Sequence, residues 1–279
     1  MRLGIGSYTY GWHIGVPGHR PGNPMGVLEL LERAAELEVH LVQVADNLPL
    51  DHLSGAEVAA LKRRAVELDI DIEVGTRGIA PDHLYAYIGL AAQLGSPILR
   101  VVIDTADHRP SLQESVDTLK VLTPDLEQAG VTLAIENHDR FTAREFRWLV
   151  ESIDSGYVGI CLDTTNSFGA LEGTEVMVDA LGSWTVNLHL KDFTIFRPPH
   201  QMGFIIEGRP AGHGRLRIPW LLERLDLLRR DAGRPPVATA ILELWTPPEA
   251  TMAQTLAKED AWAIASLQYL HPLIGEPVI

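Results

Sequence analysis

Short apolar runs alternate along this chain with longer stretches in which apolar residues recur every three or four positions. The first kind fits a strand buried on both faces, the second an amphipathic helix. Residues 2–8 (RLGIGSY) read as the first strand. After a loop rich in Gly and Pro, Met25–Leu37 carries Val27, Leu28, Leu30, Leu31, Ala34 and Ala35 at helical spacing. His40–Ala45, Ile70–Gly75, Ile98–Ile103, Val131–Ile135, Val158–Leu162, Thr185–Leu190 and Ala238–Leu244 supply the later strands. The helices between them have readable ends. Ser54 with Glu57, Ser111 with Glu114 and Thr142 with Glu145 have capping-box spacing. Pro81 opens a helix that Gly95 closes, and Gly130 closes the one that Ser111 opens. Pro124 inside that helix predicts a kink or break. Thr174–Leu181 and Pro219–Asp231 are further helices, the second preceded by a long loop, Asp192–Ile218, and Glu259–His271 is the closing helix.

Strands and helices in strict alternation with short connections imply a parallel sheet, and eight such units imply closure into a (β/α)8, or TIM, barrel. The length of 279 residues suits one barrel domain spanning 1–279, and an apolar content of 46% is ample for its core. A doubly wound open sheet would want a G-x-G-x-x-G turn after the first strand, and GIGSYTYG does not supply it. The formal net charge of −14 disfavours nucleic acid as a partner. No uncharged apolar run reaches the roughly 18 residues of a membrane span. The N-terminus lacks the order of a signal peptide, and a single cysteine, Cys161, excludes an internal disulfide, so a cytoplasmic setting is expected.

Active sites of such barrels lie at the C-terminal ends of the strands. Strand five ends in Glu136, strand six in Asp163, strand seven in His189 and strand eight in Glu243. Any one of these could simply cap its strand, but four on adjacent strands point to a site. Alternation along the strands supports this. With Glu136 facing the bore, Ala134 and Thr132 follow it inward while Leu133 and Ile135 face the helices. Asp163 takes Cys161 inward, His189 takes Asn187, and Glu243 takes Ile241 and Thr239. Three carboxylates and an imidazole suit one divalent ion, Mn²⁺ first, with Mg²⁺ or Co²⁺ as alternatives. Such an ion would polarise a carbonyl of a hydroxy-ketone and stabilise an enediolate. Glu136 and Glu243, at the two ends of the cluster, are the candidates for moving the proton.

The segments AIENHDRF (134–141), LDTTN (162–166), LHLKD (188–192) and PAGHGRLRIP (210–219), with Leu242–Glu243 after them, resemble, in order, the motifs of the xylose-isomerase-like superfamily of sugar isomerases and epimerases. The resemblance implies a metal-dependent barrel acting on a small carbohydrate, as a homo-oligomer, dimer or tetramer. It matches Glu136, Asp163, His189 and Glu243 to the metal ligands, and Glu136 and Glu243 to the acid and base. Two positions depart from the pattern: Asn166 stands where many members have His, and His213 where the loop has Glu. The first departure and the acidic charge both argue against the DNA-repair endonuclease branch.

Further candidates come with competing readings. His138, two residues beyond Glu136, is a third catalytic candidate or a plain loop histidine. Lys191 binds substrate oxygens or pairs with a rim carboxylate. Asn166, Arg197, Glu207, His213 and Trp12 are candidate substrate contacts, with core packing the competing reading for Trp12. Asp192 reads as a turn residue or a partner of the ligands. Arg100 near Glu73 would make a buried pair, and Arg140, Arg197 and Arg209 could hold an anionic substrate group. The expected activity is a metal-dependent isomerase or epimerase acting through an enediolate. The alternatives are a lyase or dehydratase, in which the same proton abstraction precedes loss of a β-substituent, and a non-catalytic sugar-binding barrel.

Overall fold

A computed structural model describes residues 1–274. Eight parallel strands close into a barrel: β1 (Arg2–Gly6), β2 (Leu41–Val44), β3 (Asp71–Arg77), β4 (Ile98–Val102), β5 (Thr132–Glu136), β6 (Val158–Asp163), β7 (Thr185–Leu190) and, last in the chain, β10 (Thr239–Leu242). β1 hydrogen-bonds to both β2 and β10, which closes the ring. The layer outside is formed by α2 (Val27–Glu36), α3 (Gly55–Glu67), α4 (Pro81–Leu94), α5 (Leu112–Ala129), α6 (Ala143–Ile153), α7 (Thr174–Leu181), α8 (Ile218–Asp231) and α9 (Met252–Ile274), and a short α1 (Gly11–Ile14) follows β1. The expected barrel is therefore the observed one. Among the described residues, no helix is long and apolar enough to cross a membrane.

The three capping boxes form as spaced: Ser54, Ser111 and Thr142 each accept from the backbone N–H three residues on. Pro124 does not break α5. The carbonyl it leaves without an N–H, that of Lys120, accepts instead from the Thr123 hydroxyl.

Apolar packing falls into two bodies. The large one lies between strands and helices, and includes Leu133, Ile135, Leu162, Leu188 and Leu190, the outward sets expected from alternation. The small one plugs the bore and consists of Ile98, Ala134 and Cys161 with Val186 packed against them. Val186 is there because β7 bulges. Thr185 pairs with Ile160 and Asn187 with Cys161, so Val186 is an extra residue, and alternation is re-phased below Asn187.

The long loop after β7 is not structureless. β8 (Asp192–Phe196) and β9 (Ile205–Arg209) form an antiparallel hairpin. Asp192 then fixes the return of the chain. Its carboxylate accepts from the N–H groups of Phe193 (2.7 Å), Gly212 (2.9 Å), Gly214 (2.9 Å) and Leu216 (3.0 Å). The two glycines are required. Gly212 has φ +82°, and a Cβ on Gly214 would lie 2.1 Å from Asp192 Oδ1. His213, between them, is exposed. Gly214→Ala is expected to lower stability by about 2–3 kcal/mol, and His213→Ala to stay within roughly 0.5 kcal/mol of wild type, as read by urea unfolding. Equal stabilities would remove the Asp192 frame from the account.

Candidate active site

Glu136, Asp163, His189 and Glu243 converge at one end of the barrel, each no more than 1% exposed. His189 is the hub. Its Nδ1 lies 3.2 Å from Glu136 Oε2, 3.3 Å from Glu243 Oε1 and 3.9 Å from Asp163 Oδ2.

The segment after each strand holds its side chain in place. Asp163 Oδ1 accepts from the N–H of Thr165 (2.8 Å), the Thr165 hydroxyl (3.0 Å) and the N–H of Asn166 (2.8 Å), so the LDTTN segment folds into a turn on its own carboxylate. The other oxygen, Oδ2, is left to face the cluster. Asn137 ties β5 to β6, its amide bonding both the N–H and the carbonyl of Asp163. Thr164 ties β6 to β7 through the backbone of Lys191.

Two buried cations answer the carboxylates. Arg100, 2% exposed, donates from Nε to Glu136 Oε2 (2.5 Å) and from Nη1 to Asp46 Oδ1 (2.6 Å). This corrects the expected Arg100–Glu73 pair: Glu73 bonds Gln43 and Asn187 instead, one layer deeper in the bore. Burial opposes ionisation of Glu136, but Arg100 and then His189 outweigh it and hold the carboxyl well below the usual carboxylate range. Lys191 Nζ lies 2.7 Å from Asp163 Oδ2 and 2.8 Å from Glu243 Oε2, and 5.6 Å from the centre of the Trp245 ring. Burial works against its charge, yet Asp163, Glu243 and Glu136 raise its pKa above the ordinary lysine value. Of its two expected roles, the structure has the rim pairing. His189 is likewise raised, burial being outweighed by Glu243 and Glu136.

The donor set fits a divalent cation. Among the described residues, His189 Nδ1 and Glu243 Oε1 are buried without a hydrogen-bond partner, in a cluster of three carboxylates and one imidazole. Donor atoms of Asp163, His189 and Glu243 lie within 4.8 Å of one another, a spacing able to hold an ion. Glu136, Cys161 and His189 form a second group with that spacing, in which burial first and Glu136 next push the Cys161 thiol well above the usual range.

The other candidates divide. Asn166 reaches the cluster, donating to Glu136 Oε1 at 2.7 Å. Trp12 comes to the rim, its indole N–H on the Thr246 carbonyl at 2.8 Å and its backbone N–H on Glu259. His138 lies with Glu136, Asp104 and Arg140 in a narrow cleft, 3.2 Å from Asp139. Arg197 stacks on Phe204 and bonds Gln201 in the hairpin turn, Glu207 pairs with Arg209 on β9, and His213 is exposed on the loop beyond. The structure does not bring these three into the cluster. Arg140 is engaged by both oxygens of Asp104. Gln43, whose Oε1 lies 2.6 Å from His189 Nε2, sits inside strand β2 and not at a strand end, so its place in the sequence carries no sign of this contact.

The chain is 34% identical, over 97% of its length and 95% of the relative's, to 3-oxo-isoapionate decarboxylase of Pectobacterium atrosepticum. Among solved structures, D-psicose 3-epimerase from Clostridium cellulolyticum H10, determined with D-tagatose, superposes with a TM-score of 0.71 at 18% identity, covering 98% of this chain and 99% of that one. A barrel protein from Mycobacterium smegmatis in complex with magnesium gives 0.68 at 12% identity, covering 95% and 96%. These two likenesses concern the fold. The family model described as xylose isomerase-like TIM barrel matches residues 31–257, and with the whole-length relative it establishes that the chain belongs to the xylose isomerase-like TIM barrel family.

Proposed function

We propose that this protein is a metal-dependent lyase that decarboxylates a 3-oxo sugar acid, with residues 1–279 acting as one domain. The observation that carries the reading is the whole-length relative named as a decarboxylase of 3-oxo-isoapionate. That activity is nearer to the lyase alternative than to the isomerase or epimerase, although the bond broken is C–C and not that of a β-substituent.

The asymmetry of the two glutamates agrees with it. An epimerase needs two groups that exchange a proton from opposite sides. Glu136 is poorly suited to one of those posts. Arg100 and Asn166 bond its two oxygens, and Arg100 holds it ionised. Glu243 has an oxygen without a hydrogen-bond partner. Decarboxylation asks for only one proton, delivered in one direction. The C–C bond to the carboxylate breaks, its electron pair moves toward the neighbouring carbonyl as an enolate, carbon dioxide leaves, and a proton then adds to carbon.

In this reading Glu136, Asp163, His189 and Glu243 hold one divalent ion, Mn²⁺, Mg²⁺ or Co²⁺. When bound, the ion supplies a Lewis acid that draws charge onto the carbonyl oxygen. Lys191 sets a second positive charge beside the oxygen that becomes negative. Glu243 delivers the proton, with His138 in the adjoining cleft as the other candidate. Asn166 and Trp12 contact the substrate at the rim.

Two outcomes are expected. Loaded with Mn²⁺ in D₂O, the protein should release carbon dioxide from a 3-oxo sugar acid and leave one deuterium in the product. EDTA should abolish release, and Glu243→Gln should slow it about 10²–10⁴-fold. Deuterium exchange into a ketose without any carbon dioxide from the acid would return the epimerase to first place.

The second outcome concerns stability of the metal-free protein. In wild type, Glu136 and Asp46 have lowered pKa values. The stability they contribute is present above the unfolded carboxylate pKa of about 4 and is lost as pH falls through the folded values. In Arg100→Met, burial acts on Glu136 without that counter-charge, at an expected cost of about 3–5 kcal/mol at pH 7. The variant should therefore regain stability on going from pH 7 to pH 5, a range over which Glu136 and Asp46 of the wild type stay ionised and contribute no slope. Thermal melts of both proteins at the two pH values check this, and parallel slopes would refute it.

A further inference from the structure

Below His189 the bore holds a buried polar layer that the proposed reaction leaves unused. It consists of Gln43, Glu73, Asn187 and Thr239, each 5% exposed or less. Glu73 Oε2 accepts from the side-chain nitrogens of Gln43 (3.0 Å) and Asn187 (3.1 Å). Among the described residues, Glu73 Oε1 has no hydrogen-bond partner. Whether Glu73 is ionised or carries its proton on Oε1, Oε2 remains an acceptor, so each amide turns its NH₂ group toward it. Asn187 agrees with that orientation, since its Oδ1 accepts from Cys161 Sγ at 3.0 Å while its nitrogen also reaches the Thr239 hydroxyl at 2.7 Å.

With its nitrogen committed to Glu73, Gln43 presents its oxygen to the far side. That oxygen lies 2.6 Å from His189 Nε2. An amide oxygen only accepts, so Nε2 carries the imidazole proton. The lone pair of the neutral ring is then on Nδ1, the atom that faces Glu136 and Glu243 and has no hydrogen-bond partner. The opposite tautomer would turn an N–H toward the cluster and set two acceptors face to face at Gln43.

We propose that Gln43 is a positioning residue: it fixes the tautomer of His189 that offers Nδ1 to the divalent ion, and Glu73 sets the orientation of Gln43. The inference rests on the metal-centre reading above. The competing account is that the layer only fills the bore. In that case a side chain of similar size would serve as well as glutamine, and the ring proton would be free to sit on either nitrogen.

The test has a readout that needs no variant. ¹⁵N-histidine NMR of the metal-free wild type, taken at a pH high enough for the ring to be neutral, should show His189 with its single proton on Nε2, and a neutral ring protonated on Nδ1 would overturn the proposal. Calorimetric titration of Mn²⁺ then compares variants. Gln43→Leu should weaken binding about 10–100-fold, as loss of the partner of a metal-binding histidine does, and should shift the His189 resonances toward a mixture of tautomers. The double exchange Gln43→Glu with Glu73→Gln keeps an acceptor on Nε2 and a donor behind it, and should return the affinity to within a few-fold of wild type. Wild-type affinity in a folded Gln43→Leu, or a folded double exchange that binds no better than Gln43→Leu, would overturn the positioning role alone. A wild type that binds no divalent ion would instead overturn the metal-centre reading beneath it.

Discussion

Three carboxylates taken out of water within a few ångströms of one imidazole set the terms for the rest of this molecule. Isolated buried charges of that kind cost several kcal/mol each, and the cost is met only by partners with good geometry. Arg100 and Lys191 are those partners, each buried and each shared between two carboxylates. Their need for a fixed position explains much of the polar bonding at the rim. Asp46 steadies Arg100 while Arg77 steadies Asp46, and the turn after β6 wraps Asp163 so that only one oxygen faces inward. Two cations do not cancel three carboxylates. The excess negative charge, with unpartnered donor atoms at its centre, is the electrostatic basis for a divalent ion there.

The fold was open to reading because each element declared itself locally. Capping boxes, Pro81, Gly95 and Gly130 mark helix ends through chemistry confined to a few residues, and the apolar runs mark strands. The four candidate ligands were visible by the same logic, since Glu136, Asp163 and His189 are each the last polar residue of an apolar strand and Glu243 directly follows one. What escaped is what alternation and spacing do not encode. The bulge at Val186 re-phases β7 through its pairing with β6, and Pro124 is tolerated because a neighbouring hydroxyl serves Lys120. Arg100 was visible as a buried cation, but its partner depends on depth in the bore. Register sets it beside Gly75 and Ala134, a layer above Glu73, and from there its side chain reaches up to Glu136. Gln43 gave no signal at all, because a glutamine inside a short strand looks like an interruption of it.

The hairpin and the loop after it show a related limit. Arg197, Glu207 and His213 are polar residues in a long connection near the site, which made them candidates. The hairpin spends its charges internally, Glu207 on Arg209 and Arg197 on Phe204 and the turn. Glu207 and Arg209 lie two apart on β9, and Arg197 meets Phe204 and Gln201 within the turn that joins β8 to β9, so these pairings exist only once the hairpin has formed.

The loop that Asp192 gathers has a consequence for how such a protein can change over generations. Its course is fixed by backbone N–H groups and by glycines, not by side chains at its crest. The crest residue, His213, is thus relieved of any structural duty. A substitution there changes an exposed surface position while the frame stays unchanged. A motif whose ends are rigid and whose middle is unconstrained lets the loop's outer surface vary without moving the chain on either side of it.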